Sequence, residues 1–287
     1  MRNRNFMSIA TVALGAFLYS PTPGFALVLG TAEEFAVLGN STVTNTGTTN
    51  VQGSLGVNPG SAVVGFDQPG GPGTVTNGTI HGPDAVSLQA RNDALAAWTG
   101  LKNMAFTSNL TGQDLGNQTL TSGVYRFDSS VQLTGPLTLD AQGLDNAFWN
   151  FQIGSTLTTA SSSSVVVINP GANSGVFWQI GSSATLGTDT SFIGNIIADQ
   201  SITLTTAAQI ECGRALALNG AVTMDTNEIS AICGQGAVGP SYSGGLVIND
   251  QGEVTPSGAT AVVPEPATLA LLGLGLLGLR FRKNKNV

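Results

Sequence analysis

A short phrase of alternating polar and apolar positions returns along the chain: a threonine, an apolar residue, a variable residue and a second threonine. Clear copies begin at Thr156, Thr185, Thr203 and Thr223, and the last three start 18 and 20 residues apart. Neighbouring side chains of a strand point to opposite faces. The phrase therefore predicts outward threonines and an inward set made of Leu157, Leu186, Leu204 and Met224. A β-type phrase with a period near 20 residues is typical of a solenoid, in which each coil stacks on the next.

A second recurring phrase is apolar or small at every position, which is typical of a strand buried on both faces. It occurs at 123–127, 147–151, 175–179, 194–198 and 213–217. Further apolar residues supply a third side of a triangular coil: Val165 to Ile168, Phe192, Ile210 and Ile229.

One segment interrupts the strand pattern. From about residue 83 to 105, apolar residues follow the three- and four-residue spacing of a helix. Pro83 suits a helix start. We expect this single long helix to cover the strands that are buried on both faces. Its stripe comprises Val86, Ala90, Ala94, Ala97, Leu101 and Met104, widened by Leu95 and Trp98.

Both ends of the chain have the composition of sorting segments. Residues 1–26 carry Arg2 and Arg4, an apolar stretch and small residues near Ala26, which predicts a signal peptide. Residues 234–262 are rich in Gly, Ser and Pro and predict a flexible linker. Residues 263–287 contain Val-Pro-Glu-Pro, 13 apolar residues and a basic tail. A helix of 13 residues is about 20 Å long, which is too short to span the roughly 30 Å hydrocarbon core of a membrane. The remaining 27–233 form the predicted solenoid body.

Composition narrows the classes of function. Charged residues make up only 9% of the 287 residues, the net charge is −7, and 38 residues are glycine. Between the terminal segments the basic residues are Arg91, Lys102, Arg126 and Arg214. An acidic body with so few cations has no basic patch for phosphates, so the sequence argues against nucleic-acid binding.

The two cysteines, Cys212 and Cys233, are separated by about one coil. Export would place them in an oxidising compartment, so we expect a disulfide between adjacent coils. A metal pair is the weaker alternative, because two thiols with one distant histidine make no complete site. We therefore predict no bound metal.

Catalytic patterns are sparse. The single histidine, His81, lies in a predicted loop, and no Ser-His-Asp set or phosphate-binding loop occurs. Asp140, Asp189 and Asp225 stand near the threonine phrases and could line one edge, as in a solenoid that cleaves polysaccharides. Turn positions explain these aspartates better. We expect neither an enzyme nor a cofactor.

The residues also resemble a known family. The runs 35–47, 120–125, 137–143 and 213–217 are similar to those of microbial ice-binding (antifreeze) proteins, which have a discontinuous β-solenoid and a helix packed alongside. The resemblance covers residues 28–233. It implies a mainly β, right-handed, three-faced solenoid whose N- and C-terminal coils meet, and a flat face that adsorbs to ice. The C-terminal segment resembles the PEP-CTERM sorting signal of Gram-negative bacteria.

The N-terminal segment predicts signal peptidase as a processing partner, and the second resemblance implies an exosortase-type enzyme. It also implies a secreted or cell-surface protein held transiently in the membrane by its C-terminal segment. Exopolysaccharide is a further candidate partner. A simple membrane anchor is the alternative for this segment.

Ice offers a repeating lattice of oxygens and no charge to bind. Stacked strands lie about 4.7–4.9 Å apart and alternate residues of one strand about 6.6–6.8 Å apart, spacings that resemble those of ice. Threonine presents a methyl and a hydroxyl group on a stiff side chain. Asp225 would disturb such a surface with its own hydration. The predicted ice-contacting set is Thr42, Thr44, Thr138, Thr156, Thr158, Ser183, Thr185, Ser201, Thr203, Thr205, Ala221 and Thr223.

Two functions remain open from the sequence. The first is an exported protein that adsorbs to ice and inhibits its growth or recrystallisation. The alternative is a matrix or adhesion protein associated with exopolysaccharide, whose threonine face contacts sugars. Threonine is also a common exposed strand residue without any such role.

Overall fold

The computed structural model describes residues 26–66, 71–233, 242–249 and 251–257. In the described part of the chain there are one α-helix, one short 3₁₀ helix (Gly30–Glu34) and 25 strands. The helix is α1 (Ala85–Asn103). The strands preceding it are β1 (Ala26–Leu27), β2 (Phe35–Gly39), β3 (Thr42–Asn45), β4 (Asn50–Gln52), β5 (Ser54–Val57), β6 (Ala62–Val64), β7 (Thr74–Thr76) and β8 (Ile80–His81).

The strands after the helix continue the coils and end in a hairpin. They are β9 (Ser108–Asn109), β10 (Thr119–Thr121), β11 (Gly123–Phe127), β12 (Val131–Leu133), β13 (Pro136–Asp140), β14 (Phe148–Ile153), β15 (Leu157–Thr159), β16 (Ser164–Ile168), β17 (Gly175–Ile180), β18 (Ala184–Leu186), β19 (Ser191–Ala198), β20 (Ile202–Leu204), β21 (Gln209–Ala217), β22 (Val222–Met224), β23 (Glu228–Ser230), β24 (Leu246–Ile248) and β25 (Val254–Pro256).

Parallel strands stack into a β-solenoid with three faces, which confirms the predicted fold class. The Thr face is the seven-stranded sheet in the order β12-β15-β18-β20-β22-β3-β6. The side face contains β10, β13, β16, the first halves of β19 and β21, then β23, β4 and β7. The covered face contains β9, β11, β14, β17, the second halves of β19 and β21, then β2, β5 and β8.

Strands β19 and β21 each pass from the side face to the covered face without a break. The register shifts between Phe192 and Ile193, and the chain turns the corner at Gly194 and Gly213. Gly194 has φ +112° and Gly213 has φ +153°, and a Cβ at Gly194 would press on Val176 and Trp178. Glycine is therefore required at this corner by both conformation and space.

The solenoid is discontinuous in sequence. β3 follows β22 on the Thr face, and β4 follows β23 on the side face. β2 supplies the covered side of that same coil by pairing with β21 and β5. One coil is thus assembled from both ends of the body, as the family resemblance implies.

The interior is a continuous apolar core. The predicted inward residues Leu157, Leu186, Leu204 and Met224 are all buried. Four aromatic rings stack along the solenoid axis with centroid separations of 5.7, 4.0 and 4.8 Å, in the order Tyr125, Phe151, Trp178, Phe192. Stacked rings of this kind add to the stabilisation that burial alone gives.

Helix α1 lies over the covered face. Asp84 caps its start, because the carboxylate accepts a hydrogen bond from the Ser87 N–H at 2.8 Å. The buried stripe is Ala90, Ala94, Ala97 and Leu101, as the spacing predicts. Val86 and Leu95 are exposed, however, because alanines allow close approach along one narrow line only. The prediction that these two residues belong to the buried stripe was wrong.

Cys212 and Cys233 form a disulfide, with their Cα atoms 5.1 Å apart. Cys212 lies in β21, and Cys233 follows β23, which pairs with β21. The bridge therefore joins adjacent coils, and the sequence-based prediction is confirmed.

Part of the predicted linker is ordered structure. β24 pairs with β1 on one side and with β25 on the other, in a three-stranded antiparallel sheet. Leu246 and Val254 are buried in the cluster beneath α1. The prediction of a flexible linker throughout 234–262 was therefore wrong for these strands, because apolar residues among the glycines and serines dock on the helix. The predicted signal peptide and sorting segment lie outside the described residues, except that Ala26 pairs with Ile248.

Arg214 ties this antiparallel sheet to the solenoid. Its side chain is 4% exposed, and it donates to the Glu33 carbonyl oxygen at 2.7 Å and to Ser243 Oγ at 2.6 Å. Burial lowers the pKa of Arg214 to about 10, and the nearby Glu33 charge opposes that change. The guanidinium thus satisfies groups from both ends of the chain. In the described segments no helix has the length and hydropathy to cross a membrane.

Candidate functional site

The Thr face presents two outward columns. The second column runs in register through all seven strands, and both neighbours of each member are buried in every strand except β6. Adjacent members lie about 4.7–4.9 Å apart, the spacing of paired strands. In stacking order the second column is Gln132, Thr158, Thr185, Thr203, Thr223, Thr44 and Val64.

The first column stands two residues before the second in each coil. Its members are all serine, threonine or alanine, so this side of the face carries no long side chain. In stacking order they are Ser130, Thr156, Ser183, Ser201, Ala221, Thr42 and Ala62. The two columns together form an array of small polar and methyl groups.

Hydrogen bonding divides the two columns. In the first column Ser183 Oγ accepts from the Ser201 N–H at 3.3 Å, and Ser201 Oγ accepts from the Ala221 N–H at 3.2 Å. Thr156 donates to Ser130 Oγ at 2.9 Å. These hydroxyls are thus engaged between coils, which holds the column rigid.

The five threonines of the second column make no side-chain hydrogen bond to any described residue. Their hydroxyls are at the surface, so their donors and acceptors are free for water. The β-branched side chain is restricted at χ1, which limits the entropy lost when water is ordered against it. This column is therefore the part of the molecule best prepared to order a water layer.

The corner between the Thr face and the side face is fixed by buried polar side chains. Thr159 and Thr190 share a hydrogen bond of 2.8 Å, and Thr49 donates to Asn45 Oδ1 at 2.6 Å. Asn227 donates to the carbonyl oxygens of Thr205 and Ala208, each at 2.8 Å. Satisfied buried networks of this kind rigidify the turns, so they keep the columns flat.

Eleven of the twelve residues predicted from the sequence lie on or beside this face. Ten occupy the two columns, and Thr205 is one residue past β20, where it borders the corner. Thr138 is the exception. It lies in β13 on the side face, in register with Thr119 and Val166. The grouping of Thr138 with the others was wrong, because β13 also places a threonine between two inward apolar residues but lies on a different side of the coil.

Asp225 stands at the end of β22, beside the array. Its carboxylate accepts hydrogen bonds from Thr206 Oγ1 at 2.6 Å and Thr226 Oγ1 at 3.2 Å. The bond from Thr206 is the main cause that lowers the pKa of Asp225. The charge is thus bound by the corner turns, outside the two columns. The stretch 46–49 also lies at this corner.

The other faces are poorer candidates for contact with an uncharged lattice. Helix α1 lies over the covered face. The side face carries three outward carboxylates, Asp140, Glu211 and Glu228, each with its own hydration. The two columns of the Thr face contain no charged residue at all. The Thr face is therefore the flat, uncharged surface of the described solenoid.

Sequence reasoning missed four members of the columns, all in the end coils: Ser130, Gln132, Ala62 and Val64. Their strands, β12 and β6, lack the threonine phrase, so only a count of residues per coil from neighbouring strands could have found them.

The three aspartates considered for catalysis do not share an edge. Asp140 ends a side-face strand, whereas Asp189 and Asp225 lie at the corner of the Thr face.

His81 also has a structural role. Its Nδ1 lies 2.9 Å from Asp84 Oδ2 and its Nε2 lies 2.8 Å from Thr79 Oγ1, at the start of α1. Among the residues that the structure describes, no three His, Cys, Asp or Glu side chains are grouped to hold a metal.

Comparison with known proteins decides the family. The ice-binding-like family matches residues 37–230, which span the whole described solenoid apart from its first strands. The chain belongs to the ice-binding-like family. A PEP-CTERM protein-sorting motif matches residues 262–285, in agreement with the resemblance of the C-terminal segment.

Relatives in this family extend the match along nearly the full chain. An ice-binding protein of Nostoc sp. (strain HG1) is 50% identical over 285 residues, which cover 99% of this chain and 96% of that protein. An ice-binding protein of Flavobacterium frigoris (strain PS1) is 30% identical over 218 residues, which cover 70% of this chain and 75% of that protein.

Solved structures of the family share the fold. The crystal structure of an ice-binding protein from an Antarctic biological consortium superimposes with a TM-score of 0.67 at 42% identity, covering 74% of this chain and 93% of that one. The ice-binding protein of the Antarctic ascomycete Antarctomyces psychrotrophicus gives a TM-score of 0.65 at 37% identity, covering 71% and 98%.

Proposed function

We propose that this protein adsorbs to ice through the Thr face and inhibits ice growth or recrystallisation outside the cell. The observation that carries the proposal is the second column: five threonines in register whose hydroxyls have no partner among the described residues. Family membership supports it, as do relatives that are named ice-binding proteins.

Adsorption works by many weak interactions made at once. Each threonine offers a methyl group, which favours contact with ordered water over bulk water, and a hydroxyl, which joins the hydrogen-bond network. The threonines share one rigid body, so little conformational entropy is lost when they bind together. The buried corner network and the first column supply that rigidity.

The proposed ice-contacting set follows the two columns. It includes eleven sequence-predicted residues, Thr42, Thr44, Thr156, Thr158, Ser183, Thr185, Ser201, Thr203, Thr205, Ala221 and Thr223. The end coils add Ser130, Gln132, Ala62 and Val64. Thr138 is left out because it lies on the side face.

We further propose how the protein reaches its place of action. Signal peptidase would remove residues 1–26, and an exosortase-type enzyme would act on the segment from Val263, which lies within the matched sorting motif. The product is a secreted or cell-surface protein, attached through the C-terminal segment until that segment is cleaved.

Ice recrystallisation inhibition by the purified exported protein tests the function. We expect micromolar protein to hold grain size constant in a frozen sucrose film and to shape single crystals near the melting point. A melting curve of the same sample shows that the protein is folded. A folded protein that neither shapes ice nor slows recrystallisation would leave adhesion to exopolysaccharide as the better explanation.

A further inference from the structure

A cleft of ≈ 560 Å³ opens between the second half of α1 and the corner at which the covered face turns toward the Thr face. Its size lies within the range of small-molecule sites, roughly 300–1,000 Å³. The cleft shares no residue with the two columns. Its wall includes Trp98, Lys102, Arg126, Gln152, Gln179 and Asp199.

Gln179 points to a ligand in this cleft. Its side chain is 3% exposed and lines the cleft, yet its amide makes no hydrogen bond to any described residue. The neighbouring amide in register, Gln152, uses its Nε2 donors by comparison. It donates to the carbonyl oxygens of Leu101 and Met104 at 2.8 Å each and thereby caps the end of α1. The amide atoms of Gln179 keep some solvent-accessible surface at the cleft wall, so its donors and its acceptor are free to pair with a ligand there.

The rest of the wall is flat, polar and balanced in charge. Trp98 is held in place by a hydrogen bond from its Nε1 to the Ile180 carbonyl oxygen at 3.0 Å. Arg126 Nε lies 2.7 Å from Asp128 Oδ1, so a carboxylate that also lines the cleft balances the charge of this arginine. Lys102 Nζ lies 4.7 Å from the centre of the Trp98 ring. Asp199 also lines the cleft, and its carboxylate accepts hydrogen bonds from Gln200 Nε2 at 2.6 Å and Asn219 Nδ2 at 3.1 Å. Neither a strongly anionic nor a strongly cationic ligand would find a complementary field here.

We propose that this cleft binds a neutral saccharide unit. The C–H groups of a sugar ring would pack against Trp98, while its hydroxyls, which both donate and accept, would pair with the Gln179 amide and the Asp199 carboxylate. The same chemistry fits a free mono- or disaccharide and one unit of a polysaccharide. Such a site would let the protein hold a glycan on one side while the Thr face stays open.

Tryptophan fluorescence provides a local readout. The chain has three tryptophans, and Trp149 and Trp178 are 0% exposed, so Trp98 is the one that a soluble quencher reaches. The exported protein is titrated with glucose, galactose, N-acetylglucosamine and, separately, dextran, and acrylamide quenching is measured at each step. We expect a bound sugar to protect Trp98, with half-saturation near the millimolar range that is ordinary for single sugar units.

Protection by the free sugars would assign the cleft to small saccharides, and protection by dextran alone would assign it to a polymer. Gln179→Leu keeps the side-chain volume and removes the amide, so protection should require about tenfold more sugar, the effect of losing one buried hydrogen bond. Gln209→Leu makes the same exchange on the exposed side face and should bind like the wild type.

Asp199→Asn is the second test variant. Because Asp199 lies at the partly exposed rim, this change spares the buried packing and covers the case in which Gln179→Leu does not fold. It should weaken protection as well. The proposal is overturned if no sugar or dextran protects Trp98, which would leave the cleft to water, or if folded Gln179→Leu and Asp199→Asn both bind as tightly as the wild type.

Discussion

Replacing Thr203 by tyrosine should abolish most of the ice activity while the protein stays folded. Thr203 is half-buried in the middle of the second column, with Thr185 and Thr223 in register on either side. The phenol ring projects several ångströms beyond the level of the threonine methyl groups. Because the neighbouring strands are only about 4.8 Å away, the ring holds both adjacent threonines off the lattice.

The size of the effect follows from how many threonines the ring lifts away from the ice. Three of the five in the column would no longer touch the lattice, at roughly 0.5–1 kcal/mol each for a surface group that exchanges water partners. The total of about 2 kcal/mol corresponds to roughly thirtyfold weaker adsorption. Stability should change by no more than about 0.5 kcal/mol, because the new ring points into solvent.

Thr138→Tyr is the matched control. Thr138 stands in a Leu-Thr-Leu stretch of the sequence and is also half-buried, but it lies on the side face. Recrystallisation inhibition and a melting curve are measured for the wild type and both variants. We expect a loss in Thr203→Tyr and none in Thr138→Tyr. Full activity in folded Thr203→Tyr, or a comparable loss in Thr138→Tyr, would move the site away from the Thr face.

Three further predictions concern stability. Cys212→Ser should cost about 3 kcal/mol, since the Cys212–Cys233 bridge spans 21 residues, and urea unfolding with and without reductant should show an equal loss. Hydrogen bonds to the carboxylate lower the pKa of Asp84 to about 2, and the bond from the Ser87 N–H contributes most. This stabilisation is therefore complete above about pH 4 and is lost as pH falls toward 2, so Asp84→Asn should flatten that part of the profile of melting temperature against pH. Leu204→Ala should destabilise by about 3 kcal/mol in the same urea assay, because Leu204 is buried in the core; a loss below about 1 kcal/mol would contradict its inward position.

The repeating phrases determine much of this structure. Side chains alternate between core and surface along each strand, and the same phrase returns once in every coil. Few other packings satisfy both patterns, so the inward leucines, the helix and the disulfide follow from spacing. Thr138 shows the limit of that reasoning. Leu137-Thr138-Leu139 has the same alternation as a Thr-face strand, and only the count of residues around the coil places it on the side face.

Other features depend on long-range packing that no local pattern encodes. Leu246 and Val254 are too far apart in sequence to show a period, and their burial depends on a helix more than 140 residues upstream. The free hydroxyls of the second column and the engaged hydroxyls of the first are likewise alike in sequence. They differ because the first column stands where the chain enters each strand, within reach of the next backbone N–H.

The coil built from both ends of the body sets the order in which the two columns of the Thr face can form. Thr223 and Thr44 are neighbours in the second column, and close by the Asn227 N–H donates to Thr49 across a separation of 178 residues. The strand that carries Thr42 and Thr44, β3, is synthesised about 180 residues before its partner β22. The array therefore cannot be completed until most of the chain is available, and pairing of such long range makes folding slow. One edge of β3 therefore stays unpaired until β22 docks against it.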